Sequence, residues 1–305
     1  MKLQNPIGIT NIGDPFVIKH EDTYYLYATS FFPGFYVWTS KDLIHFEGPF
    51  KAYEQGPRSF GYKDYWAPEV VYHQGIFVMH YSARQKGSDS LRIGVATSKS
   101  PLGPFVDVYD QKPMIDEGYA CIDGHVFLEG DKAYFYFDKD CSEHVFEGRN
   151  ESHIYVALLN EDLTKLIEKP KLVLRPSQAW EKVTGDWRWN EGPYVLKEDG
   201  VYYLMYSSGF YASKSYSIGY ATSNSPFGPF TKAEENPILK SSDTVSGPGH
   251  NSVITAPNGK RLCVYHVHTD YDNPSENRQV FMDELKIIDG KLQITGPTIG
   301  DQNDQ

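Results

Sequence analysis

The sequence has few cysteines, no basic run and no long apolar stretch, and each shortage argues against a class of protein. Its three cysteines are scattered and include no C-x-x-C pair, which argues against a disulfide framework or a structural zinc site. No apolar run approaches the roughly 18 residues of a membrane-spanning helix. The amino terminus lacks the apolar core of a signal peptide, so we expect a soluble cytoplasmic protein; a signal peptide already removed would leave the same sequence.

Positive charge is also in short supply. Lys and Arg total 29 against 40 Asp and Glu, a formal net charge of −11. A surface of this sign repels phosphate backbones and anionic lipids, so neither nucleic acid nor a membrane is an expected partner. Aromatic residues are abundant instead, at 15% with 23 Tyr. Tyrosine favours β-strands and also sugar-binding clefts, where its ring meets an apolar C–H face.

A strand-like segment recurs five times, at residues 23–29, 76–82, 133–137, 201–207 and 261–266. Each copy follows another apolar run and a turn such as Asp199-Gly200, the pattern of a β-hairpin. A third strand comes next; residues 91–105 and 216–230 are the most alike of these. No stretch shows a 3.6-residue apolar period of helical length. The long connections at residues 142–152 and 267–276 are expected to be surface loops. Five such units predict an all-β, five-bladed propeller, formed by residues 1–305 as a single domain.

Aligning the strand starts places five residues in one column, with spacings of 53, 56, 68 and 59: Asp14, Ala67, Asp123, Glu191 and His250. Each acid of the column stands beside Gly or Pro and ahead of an apolar run. Turn geometry alone also favours Asp in such places. In a propeller, however, the first strand of every blade lines the central channel. The column therefore predicts one pocket on the axis, with Trp66 beside Ala67.

Acids that converge raise the pKa of at least one of their number. Hydrolysis of a glycosidic bond uses such a set, because one carboxylic acid protonates the leaving oxygen and one carboxylate activates water or attacks the sugar. In the sequence, Trp187 and Trp189 precede Glu191 and Tyr194 follows it. Such an apolar setting favours the protonated form of the Glu191 carboxyl group. Glu191 is therefore the predicted acid, and Asp14 the predicted base.

The chain carries five short motifs in order: Gly13-Asp14-Pro15, Trp66-Ala67-Pro68-Glu69-Val70, Ile122-Asp123-Gly124-His125, Asn190-Glu191-Gly192-Pro193 and Gly249-His250-Asn251. Together they resemble the motifs of glycoside hydrolase family 43, five-bladed propellers that remove pentoses from plant polysaccharides. The resemblance covers all five units. It implies hydrolysis with inversion at the anomeric carbon.

By the same resemblance Asp14 is the general base, Glu191 the general acid, and Asp123 the residue that orients Glu191 and tunes its pKa. Arg278 matches an arginine that reaches into the sugar pocket of this family. Inversion requires the carboxyl groups of Asp14 and Glu191 to stand about 6.5–9.5 Å apart, because a water must fit between them and the sugar.

The resemblance also implies that His250 holds a hydrated divalent ion, usually Ca²⁺, on the axis. A histidine at a strand start is equally well explained as a hydrogen-bonded structural residue. Trp66 is expected to stack on the sugar, and Phe32 to border the pocket. His266 and His268 share a strand face, but no third ligand accompanies them and no zinc site is expected.

The expected activity is exo-acting β-xylosidase action on short oligosaccharides, with side activity on α-L-arabinofuranosides. Predominant arabinofuranosidase or arabinan-degrading action remains open, because the motifs do not separate these substrates. Two-domain β-xylosidases of the family carry a β-sandwich after the propeller, which a chain ending at Gln305 is expected to lack. A sugar-binding propeller without catalysis and a pure interaction scaffold are the other classes. Three acids at one end of the axis argue against both.

Overall fold

The structure is a computed structural model that describes residues 4–182 and 185–301, and nearly all of its regular elements are β-strands. β1 (Gln4–Asn5) precedes blade I, which comprises β2 (Ile12–His20), β3 (Thr23–Ser30), β4 (Gly34–Ser40) and β5 (Phe46–Glu54). Blade II comprises β6 (Gly61–His73), β7 (Ile76–Gln85), β8 (Leu91–Ser98) and β9 (Val106–Asp107).

Blade III begins with β10 (Cys121–Glu129) and β11 (Lys132–Lys139); β12 (Val145–Phe146) and β13 (Arg149–Glu151) then interrupt it before β14 (His153–Leu158) and β15 (Lys171–Leu174). A 3₁₀ turn (Ala179–Glu181) and β16 (Trp187–Arg188) follow. Blade IV comprises β17 (Glu191–Glu198), β18 (Val201–Ser208), β19 (Ser217–Ser223) and β20 (Thr231–Lys232). Blade V comprises β21 (Gly249–Thr255), β22 (Arg261–His268), β23 (Arg278–Ile288) and β24 (Lys291–Ile294), and β25 (Gly300–Asp301) pairs with β1.

Each blade is a four-stranded antiparallel sheet whose strands pair in chain order. The innermost strands contact one another in a closed ring, β2 with β6, then β10, β17 and β21, and β21 again with β2. The predicted five-bladed, all-β propeller is confirmed. No helix among the described residues is long and apolar enough to cross a membrane.

Apolar side chains fill the junctions between the blades. Tyr27 and Phe35 of blade I, for example, pack in one cluster with Met79 and Tyr81 of blade II. Burial of such faces removes apolar surface from water on both sides of a junction. The packed junctions make the inner strands a firm support for side chains at the end of the channel.

One small sheet lies outside the five blades. In it β13 pairs antiparallel with β12 and parallel with β16, so that Asn150 faces Trp187. The sequence pattern predicted residues 142–152 only as a surface loop, and that prediction is wrong for β12 and β13. The residues that pair β13 with β16 lie 37 positions apart in the chain, as Asn150 and Trp187 do, and such distant pairing leaves no short-range pattern.

Candidate active site

The axial end of each innermost strand contains the same irregularity. Register with the second strand breaks there, and the residue after the break-point pair takes a positive φ in each blade: Asp14 (53°), Ala67 (46°), Asp123 (59°), Gly192 (56°) and His250 (48°). Bulges of this kind turn a side chain away from the regular pleat. The bulge therefore aims these residues toward the axis.

The predicted column is off by one residue in blade IV. Glu191 faces Ser207 across the sheet, as Gly13 faces Thr29. Glu191 thus occupies the position before the bulge, and Gly192 takes the bulge itself. Glycine accepts a positive φ without steric cost, which lets the acid stand one residue earlier than in blades I and III.

Backbone N–H groups of the bulges tie neighbouring blades together. Four of them donate to a second-strand side chain of the preceding blade: Asp14 to His266 Nδ1 (3.0 Å), Ala67 to Thr29 Oγ1 (2.7 Å), Asp123 to Ser82 Oγ (3.0 Å) and His250 to Ser207 Oγ (2.8 Å). In the fifth, Gly192 N–H donates to Asp123 Oδ2 (3.0 Å). The ring fixes the positions of the axial residues relative to one another.

A cavity of about 910 Å³ opens above this ring. All seven residues predicted for the site line it: Asp14, Phe32, Trp66, Asp123, Glu191, His250 and Arg278. The three acids are at least nine-tenths buried. The structure therefore brings the predicted carboxyl groups to one pocket rather than leaving them on the surface.

Asp14 is surrounded by donors. Its Oδ1 accepts from Arg278 Nη1 (3.0 Å) and lies 3.3 Å from His250 Nδ1, and its Oδ2 accepts from Thr29 Oγ1 (2.6 Å). Burial opposes the charged form, but the cationic Arg278 outweighs it, with help from His250 and His266, and holds the pKa of Asp14 well below its usual range. Asp14 is thus an ionised carboxylate at neutral pH.

Glu191 has the opposite environment. Burial raises the pKa of Glu191 well above its usual range, and the nearby charge of Asp123 raises it further. A hydrogen bond that Tyr216 Oη donates to Glu191 Oε1 (2.8 Å) lowers this pKa, but by less. Burial likewise raises the pKa of Asp123 to about 6, although His250 opposes this. The pocket therefore combines an ionised carboxyl group on Asp14 with a protonated one on Glu191, as acid–base hydrolysis requires.

The side chains of Arg278 and Tyr216 occupy space that a side chain on a neighbouring glycine would fill. A Cβ on Gly13 would lie 2.0 Å from Arg278 Cζ, and a Cβ on Gly249 would lie 2.0 Å from Tyr216 Cε1. The absent side chains let Arg278 and Tyr216 reach the carboxyl groups. These glycines precede the bulge residues of blades I and V, and both belong to the motifs that identified the site.

Tyr216, Asp138 and His266 contact or neighbour the acids but were not predicted as site residues. For Tyr216 a signal existed, because it replaces Leu91 in the two most similar repeats. His266 stacks on Tyr216 at an interplanar angle of 2°, and burial lowers its pKa to about 3, so it is neutral. Its Nδ1 accepts the Asp14 N–H, which contradicts a role as metal ligand through that atom.

Asp138 occupies the ring position that Ser or Thr fills in blades I, II and IV, yet it is fully buried and neither oxygen meets a donor among the described residues. Its neighbour is the carboxyl of Asp123. Burial, together with the charge of Asp123, raises the pKa of Asp138 well above its usual range. Two carboxyl groups form a hydrogen bond only if one is protonated, and Asp138 is the one suited to hold the proton.

Aromatic side chains form the walls of the cavity. Trp187, Trp189 and Phe210 form one continuous part of the wall. Trp66 stands elsewhere on the wall, packed on a cluster that includes Ile122. Tyr194 is not part of this wall, contrary to the sequence interpretation, because its ring packs on His125 at 4.6 Å and its hydroxyl donates to Val253 O.

His250 is the one predicted metal ligand. Its Nδ1 faces the carboxylates of Asp14 and Asp123, at 3.3 and 3.9 Å, and its Nε2 has no hydrogen-bond partner within residues 4–182 and 185–301. The same residues contain no group of three or more His, Cys, Asp or Glu that could enclose a metal. This donor set fits a hydrated ion touching one imidazole, and it does not fit an ion ligated mainly by protein oxygens.

Comparison with known proteins agrees with this geometry. The model of glycosyl hydrolases family 43 matches residues 3–292, so the chain belongs to that family and is a glycoside hydrolase. The crystal structure of a thermostable family-43 glycoside hydrolase superposes with a TM-score of 0.94 at 46% identity, over 98% of each chain.

Two relatives of known name are more distant. The xylosidase/arabinosidase of Butyrivibrio fibrisolvens is 27% identical over 317 residues, which cover 99% of this chain and 58% of that protein. The β-D-galactofuranosidase xynD of Aspergillus niger is 31% identical over 204 residues, or 65% of this chain and 53% of that protein. The chain thus spans little more than half the length of either relative.

Proposed function

We propose that the protein is an inverting, exo-acting pentosidase that releases xylose from xylo-oligosaccharides and, as a side activity, arabinose from α-L-arabinofuranosides. The observation that carries the proposal is the contrast between two carboxyl groups in one cavity. Asp14 is held ionised by Arg278, and Glu191 is kept protonated by burial. Names of relatives support the sugar class, since the Butyrivibrio protein is called a xylosidase/arabinosidase.

In this proposal Asp14 accepts a proton from a water molecule, which attacks the anomeric carbon. Glu191 gives its proton to the glycosidic oxygen as the bond to the leaving sugar breaks. The proton lost from water ends on Asp14 and the proton lost from Glu191 ends on the released hydroxyl, so charge balances. Asp123, held by the Gly192 N–H, keeps the pKa of Glu191 high until the transfer.

The decisive experiment measures both specificity and stereochemistry. Values of kcat/KM are determined for aryl β-xylopyranoside, aryl α-L-arabinofuranoside and aryl β-galactofuranoside, and for xylobiose and linear arabinan. We expect the xyloside to be the best aryl substrate. Proton NMR during turnover should show α-xylose as the first product of a β-xyloside, because inversion places water opposite the leaving group.

A first product of retained configuration would contradict the roles of Asp14 and Glu191. A higher kcat/KM for the arabinofuranoside would assign the protein to arabinose release, the alternative that the sequence left open. No release from any of these substrates, with sugar binding intact, would indicate a non-catalytic propeller.

We further propose that a hydrated divalent ion binds at His250 Nε2. The support is an imidazole whose Nδ1 faces the carboxyl groups of Asp14 and Asp123, while its Nε2 has no hydrogen-bond partner among the described residues. A bound ion would supply positive charge on the axis. Treatment with EDTA should lower activity a few-fold, Ca²⁺ should restore it, and His250→Ala should remove the response. Unchanged activity after exhaustive chelation, with metal content checked by mass spectrometry, would contradict the proposal.

A further inference from the structure

Three aromatic rings form a continuous surface in the cavity that Glu191 also lines, called here the aromatic shelf: Trp187, Trp189 and Phe210. The two indoles are nearly parallel, with centroids 6.3 Å apart and an interplanar angle of 22°. Phe210 continues the surface at 5.9 Å from Trp189. All three rings line the cavity.

The shelf is exposed although it is apolar. Trp187 is 42% and Phe210 39% accessible to solvent. Rings of this size usually bury most of their surface, and a contiguous exposed apolar patch is typical of a binding site. The shelf therefore has the character of a surface that a ligand covers.

The backbone under the shelf is firmly held. Trp187 pairs with Asn150 in the small parallel ladder of β13 and β16, and Ser152 N–H donates to Arg188 O at 2.9 Å. Ser208 Oγ donates to the carbonyl of Trp189. A site held by such contacts loses little freedom when a ligand binds. None of the five blades needs this extra sheet to complete its four strands.

The position of the acid decides which part of a substrate meets the shelf. A general acid must lie within hydrogen-bond reach of the glycosidic oxygen, the atom that joins the sugar to its leaving group. Trp189 is two residues from Glu191 along the chain, and Trp187 is four. The rings and Glu191 line the same cavity, so a leaving group that extends from Glu191 along the cavity wall can reach the shelf.

Building on the function proposed above, we propose that the aromatic shelf binds the leaving-group side of an unbranched pentosyl oligosaccharide, so that the enzyme favours chains of three or more units. Pyranose rings of xylose carry no hydroxymethyl group and present flat C–H faces. Such faces pack well on aromatic rings. Sugar units beyond the first leaving-group residue would cover Trp187, the outer ring of the shelf.

The test compares substrates of different length in the variant Trp187→Ala. We expect kcat/KM on xylotetraose to fall about tenfold, the equivalent of roughly 1.4 kcal/mol, while kcat/KM on an aryl β-xyloside stays within about twofold. Trp187→Phe keeps a ring face and should recover most of the loss. Phe50→Ala is the matched control, because Phe50 is 43% exposed on an outer strand, away from the cavity, and it should change neither value.

Equal losses on xylotetraose and the aryl xyloside would show that Trp187 acts only through the fold, and no loss on either would show that the shelf binds nothing. Either result overturns the inference.

If the wild-type enzyme released no xylose, the proposed function would fail instead. The shelf is then judged by calorimetric titration of xylotetraose into Glu191→Gln with and without Trp187→Ala. A tenfold weaker Kd supports the shelf, whereas equal Kd values or no binding contradict it.

Discussion

Arg278 Nη1 lies 3.0 Å from Asp14 Oδ1, and the two residues come from opposite ends of the chain. Gly13 makes the contact possible, because any side chain at that position would overlap the guanidinium. The pair is at least nine-tenths buried. In that setting a neighbouring cation has a large effect on a carboxyl group, since little water screens the charges.

Removal of this cation should shift the acid limb of the pH profile. In Arg278→Met the pKa of Asp14 rises, because burial still raises it and the positive charge that most lowers it is gone. We expect the acid limb of kcat/KM to move to higher pH by about one to two units. Arg84→Met is the control: Arg84 also lines the cavity but pairs with Asp64 at 2.6 Å, and its loss should leave the limb in place. An unmoved limb in Arg278→Met would contradict Asp14 as base.

Tyr216→Phe should affect the other limb. The tyrosine hydroxyl stabilises the ionised form of Glu191, so its removal raises the pKa of Glu191 further. The alkaline limb of kcat/KM should move up by about one pH unit while kcat at the optimum falls several-fold, because the acid loses its orientation. A limb that moves down would indicate that Tyr216 serves some other group.

Glu191→Ala should discriminate between leaving groups. Hydrolysis of xylobiose needs protonation of a poor leaving group, so we expect a loss of about a hundredfold or more. An activated nitrophenyl β-xyloside needs less help and should retain far more activity. Asp14→Ala provides the comparison, because a missing base should reduce both substrates alike. Wild-type rates on xylobiose in Glu191→Ala would rule out this residue as the acid.

Asp138→Asn should stabilise the protein increasingly as pH rises. The pKa of Asp138 is raised in the folded chain, whereas an unfolded Asp titrates near 3.9. Above about pH 4 the unfolded chain releases its proton and the folded chain keeps it, so wild-type stability falls with pH.

Asparagine does not titrate, and it can still donate to Asp123. Its advantage should therefore grow from about pH 4 upward, toward about 1.4 kcal/mol for each unit by which the folded pKa is raised. Urea denaturation at pH 5, 7 and 8 measures the difference. A difference that is constant across these pH values would mean that Asp138 is already ionised in the folded protein.

The sequence predicted the propeller because its repeats carry hairpin signals within each blade, and such signals are local. It also predicted that Asp14, Asp123 and Glu191 line one pocket. The one-residue offset of Glu191 was missed, because a motif marks the start of a strand without showing which residue takes the bulge. In Asn190-Glu191-Gly192 that residue is the glycine.

Contacts between blades were beyond prediction from one sequence. The bonds from the Asp14 N–H to His266 and from the Asp123 N–H to Ser82 depend on how neighbouring sheets are set side by side. The small sheet that carries Trp187 pairs segments far apart in the chain. No turn or period in the sequence marks these relationships, and each became visible only with the fold.

The hydrogen bond from the Asp14 N–H to His266 determines when the chain can become active during its synthesis. The first blade leaves the ribosome early, but its base has neither His266 nor Arg278 beside it until the fifth blade has been translated. A nascent chain is therefore expected to be inert toward sugars for most of its elongation. The ability to hydrolyse sugars should appear in one step, when the last blade docks against the first.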